Sequence, residues 1–166
     1  MTTQMVAVIL AAPPNCRMST ASRNNIAYTA HADLGLIILC HGRQHPTNAE
    51  WAPYVQLLSD TFTKDVDARV LVITEGGHPS REQQAEMNAA LRSASARVAV
   101  ISPSVVARFV TSILVMTNPG IRCFSPEQRH EAYAHLGFSA SRASQIDKMA
   151  AQVSRALALP TNVQVC

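Results

Sequence analysis

His41, His45 and His78, together with Glu75, are the side chains whose types first suggest chemistry. Neutral imidazoles and a carboxylate suit zinc or iron. Their spacing matches no recognised ligand pattern on one helix or turn, and loop histidines on a solvated rim are the alternative. A nucleophile would have to be Cys40 or a serine paired with one of these histidines. Cys40 closes an apolar strand, however, and the GxSxG elbow that exposes a serine is missing. Gly76-Gly77 ahead of a helix would let backbone N–H groups approach a phosphate, although without a lysine or a third glycine the pair also reads as a plain turn. Ser80, Ser102 and Ser104 open helical segments, where a phosphate would meet a favourable dipole and where capping alone explains a serine. No residue set makes an enzyme's case, and no metal or cofactor is expected.

These residues matter together only if the chain delivers them to one place. Alternation at Ile26, Tyr28 and Ala30, then a turn near Ala32-Asp33 and the apolar run Leu34 to Cys40, predicts a β-hairpin. Thr47-Asn48-Ala49-Glu50 is a capping box, in which hydroxyl and carboxylate each satisfy a free N–H. Trp51, Tyr54, Val55, Leu58 and Phe62 follow it at helical spacing. Val70 to Thr74 is a continuous β-branched run, as in a strand covered on both faces. A second capping box at Ser80–Gln83 opens a helix to about Ser93, and Val98 to Ile101 is the next strand. After an apolar helix from Ser104 to about Thr117, Ile121 to Phe124 forms the last strand. A third box at Ser125–Gln128 starts a helix ending at Gly137, and Ile146, Met149, Ala150, Val153 and Leu157 share one stripe of a final helix.

The expected fold is therefore α/β: a mixed sheet of four to five strands, an N-terminal hairpin then parallel strands, with about five helices. In such sheets ligands gather beyond the strand C-termini, where helix N-termini also point. That edge would collect His41, His45, Glu75, Gly76, Gly77, His78, Ser80, Ser102 and Ser104.

Composition narrows the functional classes. The chain has 166 residues, 48% hydrophobic and 15% charged, which suits one domain with an ample core. A net charge of +3 without a basic cluster argues against nucleic acid as partner. Cys16, Cys40, Cys123 and Cys166 form no CxxC pair, and Cys40 and Cys123 read as small buried hydrophobes in a reducing cytoplasm. No membrane span is expected. Residues 1–24 read as a poorly ordered or edge-strand segment, 25–158 as the domain and 159–166 as a tail. Met18 is a candidate native start, since the Ser/Thr/Asn-rich stretch around it has turn chemistry.

The Ser104 to Thr117 helix carries a different hint. At 100° per residue its apolar side chains, Val105, Phe109 and Leu114 among them, cover roughly 200° of arc, twice the ~100° stripe that one sheet needs. Val115 lies within the polar remainder. Either neighbouring helices cover the excess or it forms a homodimer, partner or lipid-binding surface.

A run of motifs is also familiar: Leu36-Ile37-Ile38-Leu39-Cys40-His41-Gly42, Pro46-Thr47-Asn48-Ala49-Glu50-Trp51, Val70-Leu71-Val72-Ile73-Thr74-Glu75-Gly76-Gly77 and Val98-Ala99-Val100-Ile101-Ser102. Val110-Thr111, Ile121-Arg122-Cys123-Phe124 and Tyr133-Ala134-His135-Leu136-Gly137 continue it. Over about Ile26 to Leu157 the chain resembles small bacterial STAS/SEC14-like domains, relatives of the sporulation anti-anti-sigma factor. That resemblance implies a four- or five-stranded sheet with helices, and regulation through a protein partner or binding of a small ligand, commonly without catalysis. Phosphorylated members carry Asp-Ser-Ser/Thr-Gly after the central strand. Here that place reads Thr74-Glu75-Gly76-Gly77-His78-Pro79-Ser80, so the kinase-target serine is replaced and Ser80 corresponds by position only. The expectation is a regulatory or scaffold module that binds a protein or itself. The alternatives are a small-molecule or lipid carrier and, behind it, a metal- or thiol-dependent hydrolase.

Overall fold

The computed structural model describes residues 24–65, 67–91, 96–103 and 120–158. Among these, five strands form one sheet in the order β1-β2-β3-β4-β5. They are β1 (Ile26–His31), β2 (Leu36–His41), β3 (Arg69–Thr74), β4 (Arg97–Ile101) and β5 (Ile121–Phe124). The first pair is antiparallel and the rest are parallel. The expected hairpin and the parallel strands after it are thus both present. The hairpin turn is a 3-10 segment, Ala32–Leu34, closed by Gly35 at φ 54, a left-handed conformation that a side chain resists.

Four α-helices are described: α1 (Asn48–Lys64), α2 (Arg81–Leu91), α3 (Arg129–His135) and α4 (Ala143–Ala158). The expected Ser104 to Thr117 helix, with Ser104, Val105, Phe109, Leu114 and Val115, lies outside the described residues. So do residues 1–23, 159–166, Cys16 and Cys166.

Strand alternation sorts the core into two layers, because successive side chains leave opposite faces. Leu36, Ile38 and Cys40 of β2, Leu71 of β3 and Ala99 and Ile101 of β4 meet α3 and α4 through Tyr133, Leu136, Ile146, Ala150 and Val153. Ile37 and Leu39, Val70 and Val98 face the other way, onto Trp51, Tyr54, Leu58 and Phe62 of α1 and Leu91 of α2. Every residue of β2 is buried, which is why its sequence is a solid apolar run rather than an alternating one. Cys40 is buried as expected, whereas Cys123 is only half-buried, on the short strand β5 at the edge of the described sheet.

The sequential strand order has a direct consequence for the rim. Crossovers that progress in one direction with one hand put their helices on one face, and α1 and α2 do share a layer. The loops after β2 and β3 therefore bend toward the same side. In a doubly wound sheet they would diverge at a switch point and leave a crevice between them.

Candidate functional site

The register places the expected site residues on one edge. His41 pairs with Thr74 and Ile73 with Ile101, so the chain leaves β2, β3 and β4 at a common level. His41, Glu75 and Ser102 thus lie on the same rim of the sheet.

The loops after β2 and β3 are tied to each other by backbone. The Glu75 N–H donates to the His41 carbonyl at 3.1 Å, and the Gly77 N–H to the Gly42 carbonyl at 2.9 Å. Gly42 in turn donates to the Asn25 carbonyl at 2.8 Å, so the ladder of the sheet runs past the strand ends. Gly77 is wedged in: a Cβ built there stands 2.5 Å from the carbonyl oxygens of both Gln44 and Gly42. Thr74 locks the turn, its hydroxyl donating to the Gly77 carbonyl at 2.7 Å and accepting the Gly76 N–H at 3.0 Å. Gly76 takes φ 124 in open space, which accounts for the second glycine. The pair serves the turn and the close approach.

The helix starts hold the same region from behind. Thr47 and Glu50 form the expected capping box at α1. The Glu50 carboxylate accepts four bonds, from the Thr47 N–H and hydroxyl and from the Asn25 N–H and amide. Burial pushes this carboxyl up, but the hydrogen bonds from Asn25 and Thr47 outweigh it and hold it below the usual 4.5. Ser80 caps α2: the Gln83 N–H donates to its hydroxyl at 3.3 Å, and the Ser80 N–H reaches the Gln83 side-chain oxygen at 2.9 Å. The buried Gln83 does more, its amide donating to the Pro46 carbonyl at 3.0 Å and to Asn48 Oδ1 at 2.9 Å. Its own carbonyl accepts the Trp51 indole N–H at 3.0 Å. Asn25, Gly42, Trp51, Thr74 and Gln83 were thus missing from the expected site. Only Gln83 carried a local signal, as the last residue of a capping box.

Two expectations need correction. His41 is no loop histidine on a solvated rim: it is the last residue of β2 and 3% exposed. Its ring lies 5.9 Å, centroid to centroid, from Trp51, and its Nδ1 has no hydrogen-bond partner. Burial first, with His78 and His45 adding to it and Glu50 opposing, lowers its pKa to about 4. Ser102 is likewise fully buried, its N–H donating to the Phe124 carbonyl at 3.0 Å, so it presents nothing to a partner. The exposed members are His45, His78 and Glu75, with Arg43, whose Nε lies 3.7 Å from Glu75 Oε2.

The thiol chemistry fails on geometry. Cys40 turns into the α4 layer, where its Sγ meets Ser154 Oγ at 3.3 Å, while His41 turns to the α1 side. Burial pushes the Cys40 thiol up, away from a reactive thiolate. Among the described residues no three His, Cys, Asp or Glu side chains group as metal ligands. Among those residues, too, no helix is long and apolar enough to cross a membrane. A shallow depression of 550 Å³ lies away from the rim, between α1 and α2, lined by Ala52, Val55, Gln56, Ser59, Ala89 and Ala90 among others. Comparison with protein-family models, curated proteins and solved structures finds no match to this chain.

Proposed function

We propose that this chain is a regulatory or scaffold module of the STAS-like type, which works by binding a protein partner through the rim beyond the ends of β2 and β3. One observation carries the reading: the two rim loops are already locked to each other through Gly77, Gly42 and His41, with Arg43, His45, Glu75 and His78 left outward. A surface fixed before the encounter loses little freedom on association, the property that lets a modest patch bind usefully. The STAS resemblance implies a four- or five-stranded sheet with helices, and the five-stranded sheet is compatible with the same reading.

The test is cross-linking of the tagged full chain in its own cells beside a Glu75→Arg/His78→Ala variant. A partner joined to the wild type and lost from the variant is expected. Equal capture by both, or by neither, overturns the rim as a binding face. Light scattering of the two pure proteins reads self-association in the same way. The α1–α2 depression favours a second reading, a small-molecule carrier, because it is concave and partly apolar. Native mass spectrometry of the purified chain checks it by the mass of a retained ligand.

A further inference from the structure

Arg69 and Arg97 open β3 and β4, at the edge of the sheet opposite the rim, and the parallel register sets them side by side. Neighbouring strands stand ~4.8 Å apart, so two like charges face each other, an arrangement that costs stability unless something lies between them. Both side chains leave on the α3 and α4 face, because Val70 and Val98, one residue on, face α1. Arg97 is exposed and Arg69 half-buried. Arg69 is also held in place: its guanidinium carbon lies 4.8 Å from the centre of the Phe138 ring, and its Nη1 donates to the Leu34 carbonyl at 3.3 Å.

The two guanidinium groups converge on one spot. At Gly137, which follows α3 at φ 82, a Cβ would stand 2.9 Å from Arg97 Nη1 and 3.9 Å from both Nε and Nη2 of Arg69. No acid neutralises them. All 11 Asp and Glu side chains of the chain are among the described residues, where the ion pairs are Arg43 with Glu75 and Arg129 with Asp147. The end of a helix attracts cations too, but the carbonyls of Ala132, Tyr133 and Ala134 already accept the N–H groups of Leu136, Phe138 and Gly137 at 3.1, 3.0 and 2.9 Å. Among the described residues the Arg97 side chain has no hydrogen-bond partner.

We propose that Arg69 and Arg97 form a binding site for the phosphate group of a small molecule, seated over Gly137 between the two guanidinium groups. Two planar forks arriving from separate strands offer donors from two directions and two positive charges, which suits a tetrahedral dianion. A carboxylate carries one charge and is satisfied by one fork. Phe138 and the Leu34 carbonyl hold the Arg69 fork before any ligand arrives, so less freedom is lost on binding. The site lies at the other end of the strands from the rim and does not rest on the binding role proposed there.

Titration of the full chain with inorganic phosphate and with phenyl phosphate, at constant ionic strength and followed by NMR at the Gly137 and Phe138 amides, tests the site. Saturable shifts are expected with both, and none with acetate. Arg97→Gln, at an exposed position that leaves the core intact, is expected to weaken phosphate binding about 10- to 100-fold, the loss of one charged hydrogen-bonding partner. Arg155→Gln, about three turns along α4 from its start, is expected to leave it unchanged. Thermal melting gives a second readout: phosphate should raise the melting temperature of the wild type and not that of Arg97→Gln. Tighter binding of phenyl phosphate than of inorganic phosphate assigns the site to a phosphate monoester and equal binding assigns it to free phosphate; both uphold it. Shifts that are absent, that acetate reproduces, or that persist undiminished in Arg97→Gln overturn it.

Discussion

Adding one methyl group at Gly77 forces the two rim loops apart. The new Cβ would lie 2.5 Å from two carbonyl oxygens, both backbone, so neither can swing away as a side chain would. Ordinary contact requires roughly half an ångström or more of movement on each side, in a region packed to crystal-like density. Such overpacking costs ~1–3 kcal/mol. Loss of the Gly77 N–H bond to Gly42 and of the Thr74 hydroxyl bond to Gly77 adds ~1 kcal/mol each where they break. One effect opposes these: the backbone of Gly77 is not left-handed, so alanine restricts the unfolded chain and returns ~0.4–1 kcal/mol. The net expectation is a loss of about 2 kcal/mol, and a melting temperature lower by ~6–8 °C at ~3–4 °C per kcal/mol for a domain of this size.

Gly76→Ala is the control, since Gly76 meets nothing within 4 Å and its cost is purely that of φ 124. It should cost ~1–2 kcal/mol without disturbing the neighbouring loop. Denaturant unfolding gives the two stabilities, and hydrogen exchange at residues 42–45 separates the mechanisms, accelerating in Gly77→Ala only. A Gly77→Ala protein within ~0.5 kcal/mol of wild type, or with unchanged exchange at those residues, refutes the interlock as the source of rim rigidity.

Other substitutions probe the remaining supports. Glu50→Gln keeps one acceptor oxygen and turns an amide toward donors, so it should cost ~1–3 kcal/mol at pH 7 in urea unfolding. The folded carboxyl sits below its unfolded 4.5, so its stabilisation is present above that pH and fades as pH falls through the folded value. The gap between wild type and Glu50→Gln should therefore narrow in acid. Tyr133→Phe removes the 2.6 Å bond from the hydroxyl to Asp147 that joins α3 to α4, and is expected to lose ~1.5–3 kcal/mol while rim exchange stays unchanged. Cys40, buried with its thiol pushed up, should resist iodoacetamide at pH 8 in the native protein and react once unfolded, as read by peptide mass spectrometry.

What could be read in the sequence was what is settled within a few residues. Three capping boxes span four residues each: those at Thr47 and Ser80 hold the helix starts expected of them, and that at Ser125 opens a 3-10 turn, Pro126–Gln128, that runs into α3. The hairpin, the buried run of β2 and the stripe of α4 follow from periodicity alone. Period-two alternation also implies that neighbours in a strand face opposite layers, so Cys40 and His41 could never have met as a thiol–imidazole pair once both belonged to β2. What hid this was a strand end misplaced by one residue, with His41 read as loop. Ser102 does lie on the expected rim, but it is fully buried just beyond the end of β4.

The contacts that build the rim had no such local signal. Asn25 reaches Glu50 across 25 residues and Trp51 reaches Gln83 across 32, and each partner looks ordinary in its own neighbourhood. Above all, strand order is invisible to pattern reading: the same β-α-β-α-β string fits a sheet that winds both ways and one that winds a single way. In the first, loops part and leave a crevice for a ligand; in the second, as here, they turn together and can touch. Gly77 is the residue that makes this touch close enough to lock. The order of the strands thus decides between a pocket and a fixed surface, and the glycine after β3 decides how rigid that surface is.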